Sequence, residues 1–360
     1  MSNPESEISD KLTVLSREPL VAGAALASFN GGVVPADEFF VRNHFPIPRP
    51  DTSSWTLTVS GEVKTPLSLG YDEMKRLPSK EIEVLLECAG NSRQAIQPSI
   101  EGLLWDHGGV STARWFGVPL RNLLDQAGVL GSAREVLLEG ADRGEERGEP
   151  GEIGFSMSLP MDKALDPDTL LAWEMNGELL AAEHGFPLRA VVPGWYGMTS
   201  VKWLSSIRVL DRPFQGFHQT RYYVFVEEGV ENGLPKERVT SMKVKSFITS
   251  PSRGQILSVG RHDIRGVAWS GQTPVSRVEI STDDGHSWQP AFLEESESPR
   301  SWCRWAFVWE AHRPGYYLLR ARATDQEGNI QPAKARWNFR GFANNSIHTV
   351  PVQVRAALPP

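Results

Sequence analysis

Hydrophobic and polar residues alternate most regularly between Glu81 and Glu87, where Ile82, Val84 and Leu86 are interleaved with Glu81, Glu83 and Glu87. A period of two predicts a strand with one buried face. Ala89-Gly90-Asn91-Ser92 then breaks the pattern with small, turn-forming residues, which puts Cys88 where a strand gives way to a loop. The same alternation over 55–63, with Trp55, Leu57 and Val59 against Thr56, Thr58 and Ser60, predicts another strand. The run YDEMKRLPS (71–79) predicts a short helix ended at Pro78, and Pro119 to Ala127 predicts a second, opened by its proline and closed near Gly128. Residues 1–36 are polar and then rich in glycine and alanine, the character of an N-terminal arm lying on a surface.

From about Val239 the pattern changes. GVAWSG, VSRVEIST and GYYLLRARATD are short apolar stretches separated by turn signals such as Asp284-Gly285 and Glu327-Gly328, as in a β-sandwich. Trp269, Trp288, Trp302, Trp305, Trp309 and Trp337 are read as its core and as its contact with the preceding domain. The charged connection EEGVENGLPKER (227–238) places a boundary near Arg238, giving an arm (1–36), a first domain (37–238) and a second (239–360).

Composition narrows the classes. With 360 residues, 40% hydrophobic and 22% charged, the chain is long enough for several packed domains. A net charge of -7 argues against a nucleic-acid partner or an anionic membrane surface, so an anionic substrate needs a local positive pocket. The two cysteines lie far apart with no framework spacing, which predicts reduced thiols. LVAGAALA is the only apolar run near the N-terminus and follows acidic residues, so neither a secretory signal nor a membrane span is predicted, and a cytoplasmic location is expected.

Candidate chemistry centres on Cys88. A free cysteine ordinarily packs as a small hydrophobe, and Cys303, set among tryptophans, is read that way. Cys88 has different neighbours: Gly90 permits close backbone approach, Asn91 offers amide donors, and Arg93 brings a fixed charge that favours thiolate. A thiolate serves as nucleophile or as soft metal ligand, and these residues alone leave both open. Arg42-Asn43-His44 is a second polar cluster, set among aromatics and followed by three prolines. The eight histidines include no His-x-His or HExxH and the cysteines form no CxxC, so a metal cage made by protein alone is not predicted.

Six stretches in order, DEFFVRNHFPIP, ECAGNSR, STARWFGVPL, LLAWEMNG, EHGFPLRAVVPG and SVKWL, resemble the molybdenum domain of sulfite oxidases. The region beyond Val239 resembles that family's immunoglobulin-like dimerisation domain. The resemblance implies an α+β (mixed α/β) molybdopterin domain followed by an immunoglobulin-like β-sandwich, assembled as a homodimer. It implies that Cys88 is the sole protein ligand to molybdenum, the other ligands being the pterin dithiolene and oxygen. It assigns the molybdopterin to Phe40, Arg42, Asn43, His44, Cys88, Asp142, His184, Arg189, Ser200, Val201 and Lys202, with Val201 contributing backbone only. Taken alone, His184 and Asp142 would pass as turn residues. It places Arg42, Arg93 and Tyr223 around a small oxyanion substrate, with Tyr222 a competing choice for the tyrosine.

The implied activity is molybdenum-dependent oxidation of sulfite to sulfate by oxygen-atom transfer, with electrons passed to an external acceptor. Alternatives are a molybdopterin reductase of nitrate or a sulfoxide, and a non-enzymatic β-sandwich binding protein. No CxxCH is present and no stretch remains for a further haem domain, so no haem is expected. The sequence departs from the family pattern at Ser92, where the animal and plant enzymes read CAGNRR. It departs again at Glu101, which lines up with a lysine. In the pocket, Glu101 would repel sulfite by about 4 kcal/mol at about 4 Å in an effective dielectric of about 20. It is therefore expected to face solvent or pair with an arginine.

Overall fold

The computed structural model describes residues 9–226 and 237–356. The first eight residues of the arm, most of the 227–238 connection and residues 357–360 lie outside the described residues.

The strand predicted around Ile82 forms as Lys80–Glu87 and pairs antiparallel with Val110–Pro119, which pairs in turn with Leu170–Met175. Its burial departs from simple alternation: Val84, Leu85, Leu86 and Glu87 are all buried. The reason is tertiary. Lys80–Glu87 is the edge strand of its sheet, and the second domain covers that edge, with Leu85 N–H donating to the Arg300 carbonyl at 3.0 Å.

A second sheet of the first domain runs Leu67–Gly70, Thr56–Gly61, Leu204–Leu210, Glu135–Glu145 and Glu152–Pro160. It contains the strand expected over 55–63, as Thr56–Gly61, with Leu57 and Val59 fully buried. The two expected helices are Tyr71–Lys75 and Leu120–Ala127. The first stops short of Pro78 because that proline disfavours helical backbone at Leu77. Gly70 N–H donates to Glu73 Oε2 at 2.8 Å and secures its start. Pro119 closes a strand and caps the second helix, and Gly128, at φ 68°, ends it in the left-handed conformation that glycine adopts without strain.

The arm is not a surface strap. Leu20–Gly23 is the central strand of a three-stranded sheet with Thr13–Arg17 and Val41–Arg42. Val21 and Ala22 are fully buried and pair in register with Arg42 and Val41. Phe29 is also buried and packs on Trp302 at 4.8 Å, so this segment is wedged between the domains. A short apolar run rich in glycine and alanine shows no strand period, which concealed this in the sequence.

The second domain is a sandwich of a four-stranded and a five-stranded sheet, as its short repeated strands predicted. Trp305 and Trp309 belong to its core, whereas Trp269 and Trp302 join the main core shared with the first domain. Trp288 and Trp337 are only part-buried: Trp288 lies under the Arg322 guanidinium, and Trp337 donates to the Pro98 carbonyl. Trp337 thus makes contact with the first domain, whereas Trp288 corrects the reading, lying in neither core.

Candidate functional site

Cys88 leaves the strand with its N–H bonded to the Gly109 carbonyl at 2.8 Å, and its carbonyl accepts from Asn91 N–H at 2.9 Å, which makes the turn. Asn91 Oδ1 accepts from Gly109 N–H at 3.1 Å and ties the turn to the adjacent strand. A β-carbon on Gly90 would lie 2.6 Å from Arg93 Nη2, so glycine is what lets the guanidinium fold close under the loop. Ser92 closes the loop at φ 66°.

The loop forms one wall of a cavity. Twelve of the thirteen residues nominated from the sequence line it, from Phe40 and the Arg42-Asn43-His44 run through Cys88, Asp142, His184 and Arg189 to Ser200, Val201, Lys202 and Tyr223. The exception is Arg93. It is set back from the cavity, with Nη1 donating to the Leu103 carbonyl at 3.0 Å and its guanidinium over the Phe342 ring. Glu101 is exposed, as expected, and Tyr222 lies under Arg340 while Tyr223 faces the cavity.

Part of the lining is cationic. Arg189 is buried and, among the described residues, donates only to backbone carbonyls, those of His184 at 3.0 Å, Ser200 at 3.2 Å and Ala190 at 3.3 Å. Burial lowers it to about 9, still cationic at neutral pH. Lys202 donates to the Glu183 carbonyl at 2.7 Å and to Asn43 Oδ1, and burial pushes it well below the ordinary lysine value. Burial raises Asp142 to about 6, against the pull of Lys202. His184 is lowered to about 3, by burial and then by Lys202 and Arg189, and its Nε2 lies 3.1 Å from the Ala36 carbonyl. Such a histidine is neutral, so Nε2 carries the proton and Nδ1 is left as an acceptor.

Asn43 Nδ2 and Asp142 Oδ1 are buried without a partner. Orphaned polar atoms beside cations that meet only carbonyls fit an anionic group with polar ring edges, such as a phosphorylated pterin. A soft thiolate in the same cavity fits a soft metal. Burial pushes the Cys88 thiol up, opposed by Arg42, the Gly90 N–H and Arg93 in that order. Metal binding to such a thiol releases its proton.

Arg42, His44 and Tyr223 form a directed chain. Arg42 Nη2 lies 3.2 Å from His44 Nδ1, and His44 Nε2 lies 2.6 Å from Tyr223 Oη. A guanidinium only donates, so Nδ1 accepts and Nε2 carries the hydrogen. His44, held neutral by burial and then by Arg42, therefore donates to the tyrosine oxygen. This leaves the Tyr223 hydroxyl proton free to point into the cavity.

Several neighbours of the site were not legible in the sequence. Glu146 and His218 approach His44, with ligating atoms of the three within 4.8 Å, but the Arg42 cation beside His44 Nδ1 opposes a metal ion there. Their sequence positions carry no shared motif. Trp203 lines the cavity at φ 49°, an unusual backbone for a bulky residue, and donates to the Ala182 carbonyl at 2.8 Å. It belongs to the SVKWL stretch, of which Ser200, Val201 and Lys202 were singled out instead.

Comparison with known proteins places this geometry in context. Residues 44–218 match the oxidoreductase molybdopterin binding domain, and residues 236–355 match the Mo-co oxidoreductase dimerisation domain. Mitochondrial sulfite oxidase of Mus musculus is 37% identical over 345 residues, which cover 90% of this chain and 62% of the mouse protein. Sulfite oxidase of Gallus gallus is 37% identical over 338 residues, covering 88% of this chain and 72% of the chicken protein. Among solved structures, the sulfane dehydrogenase SoxCD from Paracoccus pantotrophus superposes with a TM-score of 0.80 at 27% identity, covering 99% of this chain and 90% of that one. No helix among the described residues is long and apolar enough to cross a membrane.

Proposed function

The chain belongs to the sulfite oxidase family of molybdopterin oxidoreductases, and on that premise we propose that it oxidises sulfite to sulfate at a molybdenum cofactor held in the Cys88 cavity. Sulfite and water give sulfate, two protons and two electrons, and the electrons leave to an acceptor outside this chain. When bound, the cofactor supplies a redox metal that exchanges an oxygen atom and takes up two electrons.

One observation carries the reading: a single thiol shares a cavity with buried cations and orphaned polar atoms. In the proposed arrangement Cys88 is the metal ligand. Arg189 and Lys202 hold the phosphate, while Asn43, His44, Asp142, His184 and Ser200 meet the ring edges, with Phe40 and the Val201 backbone shaping the pocket. Arg42 and the free Tyr223 hydroxyl bind the substrate oxyanion, because a guanidinium fork and a buried O–H both strengthen as negative charge gathers on oxygen. Arg93, set back behind the loop, acts through its field rather than by contact. A second copy of the chain is the proposed partner, supported by the dimerisation-domain match. The match through both domains leaves no basis for the β-sandwich binding-protein alternative.

The test is to quantify molybdenum and pterin in the parent and in Cys88→Ser, then to measure sulfite-dependent reduction of ferricyanide by each. Cys88→Ser is expected to keep pterin, whose anchors are other residues of the cavity, and to lose turnover. A loaded parent that passes no electrons from sulfite removes the substrate. Full activity in Cys88→Ser removes the ligand. Oxidation of the reduced enzyme by nitrate or a sulfoxide would instead select the reverse direction.

A further inference from the structure

We propose that the second domain positions Cys88 and that Glu87 is the side chain it grips. This rests on the reading of Cys88 as the metal ligand and adds a role for the second domain besides dimerisation.

Glu87 precedes Cys88 directly and is buried, 1% exposed. Its Oε1 accepts from Lys245 Nζ at 2.8 Å and from Asn91 Nδ2 at 3.0 Å, and its Oε2 accepts from Trp269 Nε1 at 3.0 Å. Lys245 and Trp269 are register partners on neighbouring strands of the second domain, Lys245–Ser250 and Gly260–Trp269. One sheet thus presents a cation and an indole N–H to the two oxygens of one carboxylate. Lys245 is itself 2% exposed, and Glu87 is its only carboxylate partner among the described residues.

The same domain holds the loop at two more points. Ala343 N–H donates to the Ala89 carbonyl at 2.8 Å, and Asn344 Nδ2 donates to the Ser92 carbonyl at 2.7 Å. Ser92 is the residue in the left-handed region, a conformation that an L-residue keeps only when its surroundings enforce it. The grip therefore reaches both sides of Cys88, at positions 87 and 89 before and beside it and at 92 beyond. Within the first domain the loop is tied to Gly109 through Cys88 and Asn91, to His107 through the Ser92 hydroxyl, 3.0 Å from Nδ1, and to the Leu103 carbonyl through Arg93. A buried ion pair contributes little net stability over an apolar pair of the same shape. A defined backbone for the metal ligand is what such a fixed geometry supplies.

The test uses the full chain with Cys303→Ser, so that Cys88 is the one remaining thiol. Removing Glu87 or Lys245 alone would leave a buried charge, so the informative variant is Glu87→Gln with Lys245→Met, which removes both. A milder variant, Trp269→Phe, removes only the indole donor. In the cofactor-free chain, maleimide alkylation of Cys88 is expected to accelerate about tenfold in the double variant, the effect of shifting a local opening equilibrium by about 1.4 kcal/mol. Trp269→Phe is expected to show a smaller acceleration. In the loaded enzyme the thiolate-to-metal absorption band is expected to move in both variants.

Unchanged alkylation and an unchanged band in both variants, even with a lowered unfolding midpoint, would overturn the proposal and leave an ordinary interdomain contact. If the double variant does not fold, Trp269→Phe decides by the same two readings. Sulfite turnover enters neither reading. A parent that lacks any thiolate band would instead remove the ligand assignment on which the proposal rests.

Discussion

Tyr223→Phe is the substitution that most directly probes the directed chain from Arg42 through His44. It removes one oxygen from a buried ring that lines the same cavity as Cys88. Two effects separate. The first is local: the His44 Nε2–H, 2.6 Å from the phenol oxygen, loses its acceptor, which costs about 1–3 kcal/mol for a buried group. The second is catalytic. If the freed hydroxyl proton binds the oxyanion as charge develops, its loss resembles removal of an oxyanion-hole donor, about 3–4 kcal/mol or roughly 100-fold to 1000-fold in kcat. Burial raises the phenol well above its ordinary value, so it remains a donor across the working pH range and adds no ionisation to the profile. The assay is ferricyanide reduction by sulfite on protein of measured molybdenum and pterin content, with thermal unfolding followed in parallel. The expected result is a fully loaded enzyme, modestly destabilised, with kcat down about a hundredfold. Turnover within about threefold of the parent, under about 0.7 kcal/mol, would refute the reasoning, as would a larger loss from Tyr222→Phe.

Two further outcomes follow from the burial of individual carboxylates. Asp142, raised to about 6 in the fold, binds its proton more tightly folded than unfolded. The stability it contributes is therefore complete below about pH 4 and is lost as pH rises through about 6, by up to about 3 kcal/mol. Asp142→Asn should relieve that loss, so urea unfolding of the cofactor-free chain should show a gain at pH 8 that vanishes near pH 4. An equal gain at both pH values would contradict the burial argument. Glu101→Gln should change kcat/KM for sulfite by less than about twofold, because an exposed charge is screened. A larger increase would place Glu101 in the substrate's path.

How far the sequence was readable depended on whether a residue's role is fixed nearby or by distant chain. The turn after Cys88 and the Arg42-Asn43-His44 run announce themselves through a glycine, prolines and clustered donors, whereas His184 was assigned only by the family resemblance, and the fold carries all three to one cavity. Local periodicity also located Thr56–Gly61 and Leu120–Ala127 to within a residue or two. Glu87 shows the limit. Alternation assigned it to the polar face, but the second domain converts that face into interior, and its partner Lys245 lies more than a hundred residues away. Arg93 shows another limit: the family resemblance placed it around the substrate, whereas its Nη1 bonds the Leu103 carbonyl and its guanidinium lies over the Phe342 ring. The buried N-terminal strand was hidden because glycine and alanine give weak periodicity even when fully enclosed.

The bonds from Ala343 and Asn344 to the Cys88 loop also impose an order of events on biosynthesis. A ribosome releases the first domain's sequence long before residue 344 has been made, and domains ordinarily begin folding as they emerge. In this chain the loop that carries the thiol remains short of two of its hydrogen bonds until residues 343 and 344 of the second domain have been synthesised. A nascent first domain can build its sheets and cationic lining, but it finishes the loop only when those residues arrive. Maturation of the centre is thereby deferred until the second domain has emerged.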